Sequence, residues 1–245
     1  MVRIVVQSPS YGRAEAEVQV PIAPPIESLR WEADTTYIFE WGDVDDSSYQ
    51  LTFNLAVAMS VKDRASTADY YKFSYREPSA GDTDPADAPW TFSIGNFIYE
   101  REPIFSEHIG LLDAISGNDS ESFTFFTDRR FSGGTYTLNL HFENNHYTIM
   151  KYCYMEGMPD CDLTFTLSTI SPSYYNWCAY QWNIENGTIG DLGDIGLTDP
   201  VWGYSNVSSG AGVVAAQSRS TYTVNLKDFL QQEISAIIKQ QQKHS

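Results

Sequence analysis

The sequence predicts an all-β protein: an antiparallel β-sandwich, immunoglobulin-like or jelly-roll-like, with one short internal helix and a helix at the C-terminus. Three observations carry that expectation. The 245 residues include 16 Tyr, 13 Phe and 6 Trp, and aromatic side chains favour pleated, half-buried surfaces. Short segments with a period of two follow one another closely, as in residues 50–61, where Leu51, Phe53, Leu55, Val57 and Met59 share one face. Clusters of turn-forming residues separate them, above all PSAGDTDPADAP at 78–89. Dense short strands of this kind enclose a core as a sandwich or barrel.

Taken in order, residues 2–7 and 14–20 read as strands around a turn at 8–12. Two strands alone are marginal in water, so this hairpin must lean on another element. The domain reading is 1–20 as a hairpin left over from an upstream β-domain, 21–25 (PIAPP) as a stiff extended connector, 26–227 as the main sandwich, and 228–245 as a C-terminal helix with a frayed tail. Within the sandwich, strands are expected at 26–33 and 36–41 with a turn at Asp34, then at 50–61, 69–76, 90–99, 123–127, 134–143 and 146–155. Residues 162–170 are expected to pair with 146–155, and 213–216 also look strand-like.

Ser171 suits an N-cap and Pro172 the first helical position, which predicts the internal helix. Tyr174, Trp177, Cys178 and Gln181 lie along one side of it, Tyr175 and Trp182 on the other, and Gly187 and Gly190 end it. The second helix is predicted from Asp228 to about Gln240, with Phe229, Leu230, Ile234, Ile237 and Ile238 as its apolar stripe and QQQKHS fraying beyond.

A net charge of −17 and a pI of about 4.4 repel a phosphate backbone, and no Lys/Arg cluster offsets them. Nucleic acid and anionic lipid are therefore excluded as expected partners. No stretch reaches the roughly 20 apolar residues that span a bilayer. The opening MVRIVVQSPS lacks the pattern of a signal peptide. The chain therefore reads either as cytoplasmic or as a fragment whose export signal lay upstream.

Cys153 and Cys161 flank a segment containing Gly157 and Pro159. A hairpin there would let the two sulfurs bridge, and without one they are reduced thiols packed as small hydrophobes. Cys178 reads as a buried spectator. No two Cys or His pairs have zinc-ligand spacing, so no metal and no cofactor is expected.

Signatures of catalysis are absent from the chain. His108, His141 and His146 lie in separate segments, His244 is in the tail, and neither GxSxG nor HExxH occurs. A triad needs only spatial convergence, so a hydrolase stays open. Ser208 to Gly212 (SSGAG) has no following Lys and reads as a tight turn rather than a phosphate cradle. Asp43, Asp45 and Asp46, and Asp82, Asp84 and Asp87, fall in polar loops and read as solvated rather than as paired catalytic acids. Trp31, Trp41, Trp90 and Trp202 could stack on sugar rings where exposed, or pack the core where not. The loop bearing Trp202, Tyr204 and Asn206 is the candidate ligand site. The alternative there is that Trp202 plugs the end of the sandwich and Asn206 makes a local turn bond.

Several segments resemble one family. Residues 14–26, ending in VPIAPPI, Asp69-Tyr70-Tyr71-Lys72-Phe73, Pro103-Ile104-Phe105, Phe126-Thr127-Asp128 and Phe131-Ser132-Gly133-Gly134-Thr135-Tyr136 occur in the order of its blocks. So do Ile170-Ser171-Pro172-Ser173-Tyr174-Tyr175, Asp199-Pro200-Val201 and Asn206-Val207-Ser208-Ser209-Gly210-Ala211-Gly212. From about Val5 to Val224 the chain resembles the C-terminal two-thirds of domain-of-unknown-function family 4249, Bacteroidetes cell-envelope lipoproteins. It departs from the pattern at Ser209, where a glycine is usual, and at Val214, where an aromatic is usual; the helix after Asp228 is extra.

The resemblance implies export, a lipid anchor at an upstream cysteine, and an envelope setting often beside TonB-dependent outer-membrane transporters. It implies no catalytic residues. The expected function is a non-catalytic envelope protein that binds a glycan, a peptide or a transporter subunit. An envelope polysaccharide hydrolase and a purely structural adhesion module are the alternatives.

Overall fold

In the computed structural model, residues 1–42, 47–65, 67–79, 88–105, 124–186 and 203–244 are described. Among them the chain forms β1 (Val2–Ser8), β2 (Gly12–Val18), β3 (Ile26–Trp41), β4 (Ser48–Lys62), β5 (Tyr70–Arg76), β6 (Trp90–Ser93), β7 (Asn96–Phe97), β8 (Phe125–Thr127) and β9 (Thr135–Met150). A short helix α1 (Lys151–Glu156), β10 (Asp162–Ile170), α2 (Pro172–Asn186), β11 (Gln217–Asn225) and α3 (Lys227–His244) complete it. Strands β1 and β2 make a hairpin. A five-stranded sheet runs β3-β4-β9-β6 with β7 also on β9, and a four-stranded sheet runs β11-β10-β5-β8. Pairing is antiparallel throughout. The fold is the expected all-β sandwich.

Alternation dictates the core. On β4, Leu51, Phe53, Leu55, Val57, Met59 and Val61 are all buried while the residues between them are not. Across the gap, Phe142 of the five-stranded sheet packs on Phe165 (5.9 Å between ring centres) and on Tyr75 (5.2 Å) of the four-stranded sheet. Phe97 meets Phe73 at 5.8 Å. Each ring buries about 150–250 Å² and each ring pair adds about 0.5–1.5 kcal/mol beyond that area.

Several boundaries differ from expectation, each for a physical reason. Residues 26–41 form one strand with no turn at Asp34. β4 pairs along its whole length, Asp34 opposite Asn54, and the irregularity is absorbed as a bulge between Thr35 and Tyr37. Residues 134–143 and 146–150 likewise join as β9 across a bulge. There Asn144 takes φ +56°, and buried Asn145 donates its amide to the carbonyls of Phe53 and Phe142, both at 3.0 Å. The chain turns helical at Lys151, whose N–H reaches Ser47 O at 2.8 Å, so 151–155 is α1 rather than strand.

The expected pairing of 162–170 with 146–155 does not occur. Strand β9 already has β4 on one side and β6 and β7 on the other, so α1 carries the chain over to the second sheet, where β10 lies between β5 and β11. Residues 90–99 split at Gly95 because the chain there crosses the bulge of β9. A Cβ on Gly95 would overlap the carbonyl oxygens of Glu143 and Asn144.

Residues 213–216 are an extended connector, not a strand. Their backbone groups are taken by side chains: Val214 by Asn206, and the Ala216 N–H by Ser171 Oγ at 3.1 Å. The strand is β11, which follows; its outward Ser, Arg and Thr residues hide its alternation.

The N-terminal hairpin does lean on another element. Glu15 N–H donates to Ser208 Oγ (3.2 Å), and Ser208 N–H to Glu15 O (2.8 Å). Helix α2 starts as expected, Ser171 Oγ accepting from Tyr174 N–H at 3.3 Å, and it covers the outer face of β5 through Tyr175 on Tyr70 (4.7 Å). Helix α3 begins one residue early, capped by Asn225 Oδ1 on Lys227 N–H (2.9 Å). It stays helical to His244 rather than fraying, because its Gln and Lys residues are good helix formers. Nor is it an appendage. Leu230 and Ile234 are fully buried in the main core, and Phe229 packs on Phe53 (5.3 Å) and Trp31 (6.4 Å).

Leu230→Ala and Ile234→Ala are each expected to lower the unfolding free energy by about 2–5 kcal/mol in urea titrations. Losses under about 0.5 kcal/mol, the range of surface substitutions, would show that α3 does not belong to the core.

Candidate functional site

Of the loop expected to bind ligand, Trp202 lies outside the described residues. Tyr204 is half-buried. Asn206 uses its amide on the chain itself: Oδ1 accepts from Val214 N–H and Nδ2 donates to Val214 O, both at 2.8 Å. Ser209, where the family pattern has glycine, takes φ +57°, the left-handed backbone that glycine favours. Residues Asp43, Asp45, Asp46, Asp82, Asp84, Asp87 and His108 also lie outside the described residues.

Cys153 and Cys161 are free thiols, and the hairpin that would have faced them together is replaced by α1. Burial pushes the Cys161 and Cys178 thiols up to about 12 and raises Cys153 as well.

Among the described residues four carboxylates are buried, of which Asp69 and Asp128 lie in segments that resemble the family, whereas Asp63 and Glu102 do not. Glu102, fully buried, accepts from Tyr136 Oη (2.5 Å), Asn139 N–H (2.6 Å) and Ile104 N–H (3.3 Å). Asp63 accepts from Tyr71 Oη (2.5 Å) and Gly133 N–H (2.8 Å). Burial, then the bond to Asp63, raises the Tyr71 phenol, which keeps it a donor. Asp69 holds Arg64 through two bonds of 2.8 and 3.3 Å and accepts from Thr67 Oγ1 at 3.1 Å. Asp128 N–H donates to Asp69 O at 3.1 Å.

The segments around Tyr71, Asp128 and Gly133 thus meet in one polar network, and Glu102 ties the segment around Ile104 to β9 in a second. Residue type could have flagged the first: an Asp directly after a buried strand, or beside a Tyr inside one, needs a partner.

The accessible surface with chemical variety is the outer face of the five-stranded sheet. Registers align Tyr37, Thr52, His146 and Ser93 in one row, and Phe39, Gln50, Thr148 and Thr91 in the next. Both rows face outward because Leu51, Tyr147 and Phe92 between them are buried. Trp41 follows Phe39 on the same side of β3. Of the four tryptophans considered as stacking platforms, the three that are described separate: Trp90 is buried, Trp31 packs on Phe229, and Trp41 is 66% exposed, with Tyr37 at 60%. Tyr37 and Phe39 lie 5.1 Å apart. Thr52 Oγ1 and His146 Nδ1 are 3.2 Å apart. Among the described residues no carboxylate bonds to His146, so this pair lacks the third member of a triad.

Farther along the same face, two shallow troughs of about 250 and 240 Å³ share Glu32, Ala56 and His141. Arg30 and Asn139 border the first, Asp34 and the Arg101–Glu143 ion pair (2.7 Å) the second. A third groove of about 340 Å³ lies between the 19–22 connector, the Arg64–Asp69 pair and the start of α2. Open faces of this kind hold and orient a ligand, whereas no nucleophile, base and acid are brought together among the described residues.

A family model described as a domain of unknown function (DUF4249) matches residues 1–223. No curated protein and no solved structure matches the chain.

Asp128 is 5% exposed. Burial raises its carboxyl above the ordinary value, backbone N–H groups at Asp69 and Asp128 oppose this, and the charges of Asp63 and Asp69 add to it. A raised carboxyl binds its proton more tightly in the folded chain. Its contribution is thus most favourable when protonated and declines as pH rises from the unfolded to the folded pKa. Asp128→Asn is therefore expected to be more stable than the parent near neutral pH, with the gap closing on acidification. Urea midpoints across pH check this, and a gap that widens in acid would refute it. Asn206→Ala, which removes both Val214 bonds, is expected to cost about 1–3 kcal/mol in the same titration.

Proposed function

Because the chain belongs to the DUF4249 family, we propose that it is a non-catalytic binding protein of the bacterial cell envelope, of the outer-membrane lipoprotein type, acting as an accessory to an outer-membrane transporter. One observation carries the binding part of this reading. Helix α2 covers one end of the outer face of the four-stranded sheet, at Tyr70, Lys72 and Phe125, while side chains in the outward rows of the five-stranded sheet stay exposed or half-exposed. A rigid, uncovered sheet face with aromatic, neutral and charged zones is suited to recognition. The envelope setting and the transporter rest on the family resemblance seen in the sequence. The acidity of the chain is consistent with a surface that avoids nucleic acid and anionic lipid. No described helix is long and apolar enough to cross a membrane; the lipid anchor of this reading rests on the family resemblance alone.

A hydrolase has one observation in its favour: Glu32, Asp34 and Glu143 line the 240 Å³ trough beside His141. Against it, Glu143 is tied to Arg101, and Glu32 and Asp34 stand exposed to solvent rather than in a closed cleft.

The test is affinity capture from detergent-solubilised envelope of the source organism with the full-length protein as bait. An outer-membrane β-barrel transporter is expected to co-purify and to be lost in high detergent. Reproducible recovery of no membrane protein, or release of reducing sugar from envelope polysaccharide, would overturn the accessory reading.

A further inference from the structure

We propose that Tyr37, Phe39 and Trp41 form a binding platform for a neutral glycan strand. This deepens the binding-protein reading and rests on it. Alternate residues of one strand project to the same side about 6.6–6.8 Å apart. Three rings thus line roughly 13 Å of β3 and can underlie more than one sugar ring. A pyranose has apolar C–H faces and a rim of hydroxyls. It needs ring faces beneath it and neutral hydrogen-bonding groups at its edge.

The next strand, about 4.8 Å away, supplies Gln50 and Thr52, and the one after that supplies Thr148 and His146. Thr52 Oγ1 engages His146 Nδ1 at 3.2 Å, a bond that does not use Nε2. Tyr37 and Trp41 are 60% and 66% exposed, against the usual concealment of large aromatics.

Charge selects the class of ligand. The chain carries a net charge of −17, yet in the two rows beside the rings His146 is the sole ionisable group apart from the Tyr37 phenol. Glu40, between the rings in sequence, points inward and is neutralised by Lys151 Nζ at 2.6 Å. The outward acids Glu32 and Asp34 belong to the other end of the face. A polyanion gains nothing here and is repelled by the whole protein, and a cation finds no carboxylate on these two rows. A neutral polyol fits. Among the described residues the sheet order places β3 outermost, so a long glycan can lie along the rings without meeting a described strand paired to that edge. The competing occupant is a second copy pairing with that same edge.

The experiment is affinity electrophoresis and calorimetry of the full chain against neutral β-glucan, xylan and mannan, with polygalacturonate as the charged comparator. At least one neutral polymer is expected to bind, with little dependence on salt. Trp41→Ala and Tyr37→Ala are each expected to weaken it roughly five- to a hundredfold, the scale of losing a stacking aromatic. Tyr11→Ala, at the exposed tip of the hairpin, is expected to change nothing. Circular dichroism melts control for folding, and the exposure of Tyr37 and Trp41 makes unchanged melts the expected result.

Three outcomes overturn the proposal. The first is no binding to any neutral polymer, and the second is binding untouched by Tyr37→Ala plus Trp41→Ala. The third is a sedimenting dimer dissolved by those substitutions without glycan affinity. Loss of glycan binding with transporter capture intact would sink the platform alone, whereas the reverse would sink the accessory role alone.

Discussion

The packing of Phe142 against Phe165, with Tyr75, Phe73 and Phe97 around it, is the contact on which the architecture depends. It joins two sheets that share no hydrogen-bonded strand pair. Everything that faces this seam must be apolar and alternate with a period of two. Everything that alternates the other way is left to solvent or to a covering element. Helix α2 takes one end of the outer face of the four-stranded sheet, and α3 adds Leu230 and Ile234 to the core against Trp31 and Phe53 through Phe229. The face that remains open is thus a by-product of how the core is built.

Burying so many rings leaves tyrosine hydroxyls and loop carboxylates with little water, and the chain settles both demands together. Tyr71 donates to Asp63, and Tyr136 to Glu102, each carboxylate also taking backbone N–H groups from a neighbouring segment. A buried acid satisfied in this way fixes loop position more firmly than apolar contact alone, since removing one partner leaves a polar atom stranded. Such bonds tie the segments around Asp63, Asp69, Asp128 and Gly133 to one another, and a second set ties Glu102 and Ile104 to Tyr136 and Asn139.

What was legible in the sequence followed from local rules. The alternation of β4, the Ser171-Pro172 helix start and the stripe of α3 each needed only neighbours in the chain. What was not legible depended on distant partners. The break at Gly95 follows from the bulge of β9 nearly fifty residues later. The continuity of β3 through Asp34 follows from pairing with β4. The placement of β10 follows from both sides of β9 being occupied. The ligand site shows the same division. Composition could name four tryptophans as platforms if exposed, but exposure is a property of the packed sheet, and it distinguishes Trp41 from Trp31 and Trp90.

That distinction has a physical cost. An indole left two-thirds exposed on an edge strand forgoes most of the burial that drives folding, beside a phenol exposed almost as much and a phenyl ring between them. A long edge strand with apolar rings also invites pairing with another copy, which proteins usually discourage with charge, proline or a cover. On β3 the exposed charges stand at Glu27, Arg30, Glu32 and Asp34, and at the ring-bearing end Glu40 is paired with Lys151. Stability does not account for aromatics in this position, and neither does protection against aggregation. Their alternation places them on one side, over neutral hydroxyl, amide and imidazole groups, which is an arrangement that a partner with apolar faces and a hydroxyl rim can use and that water cannot.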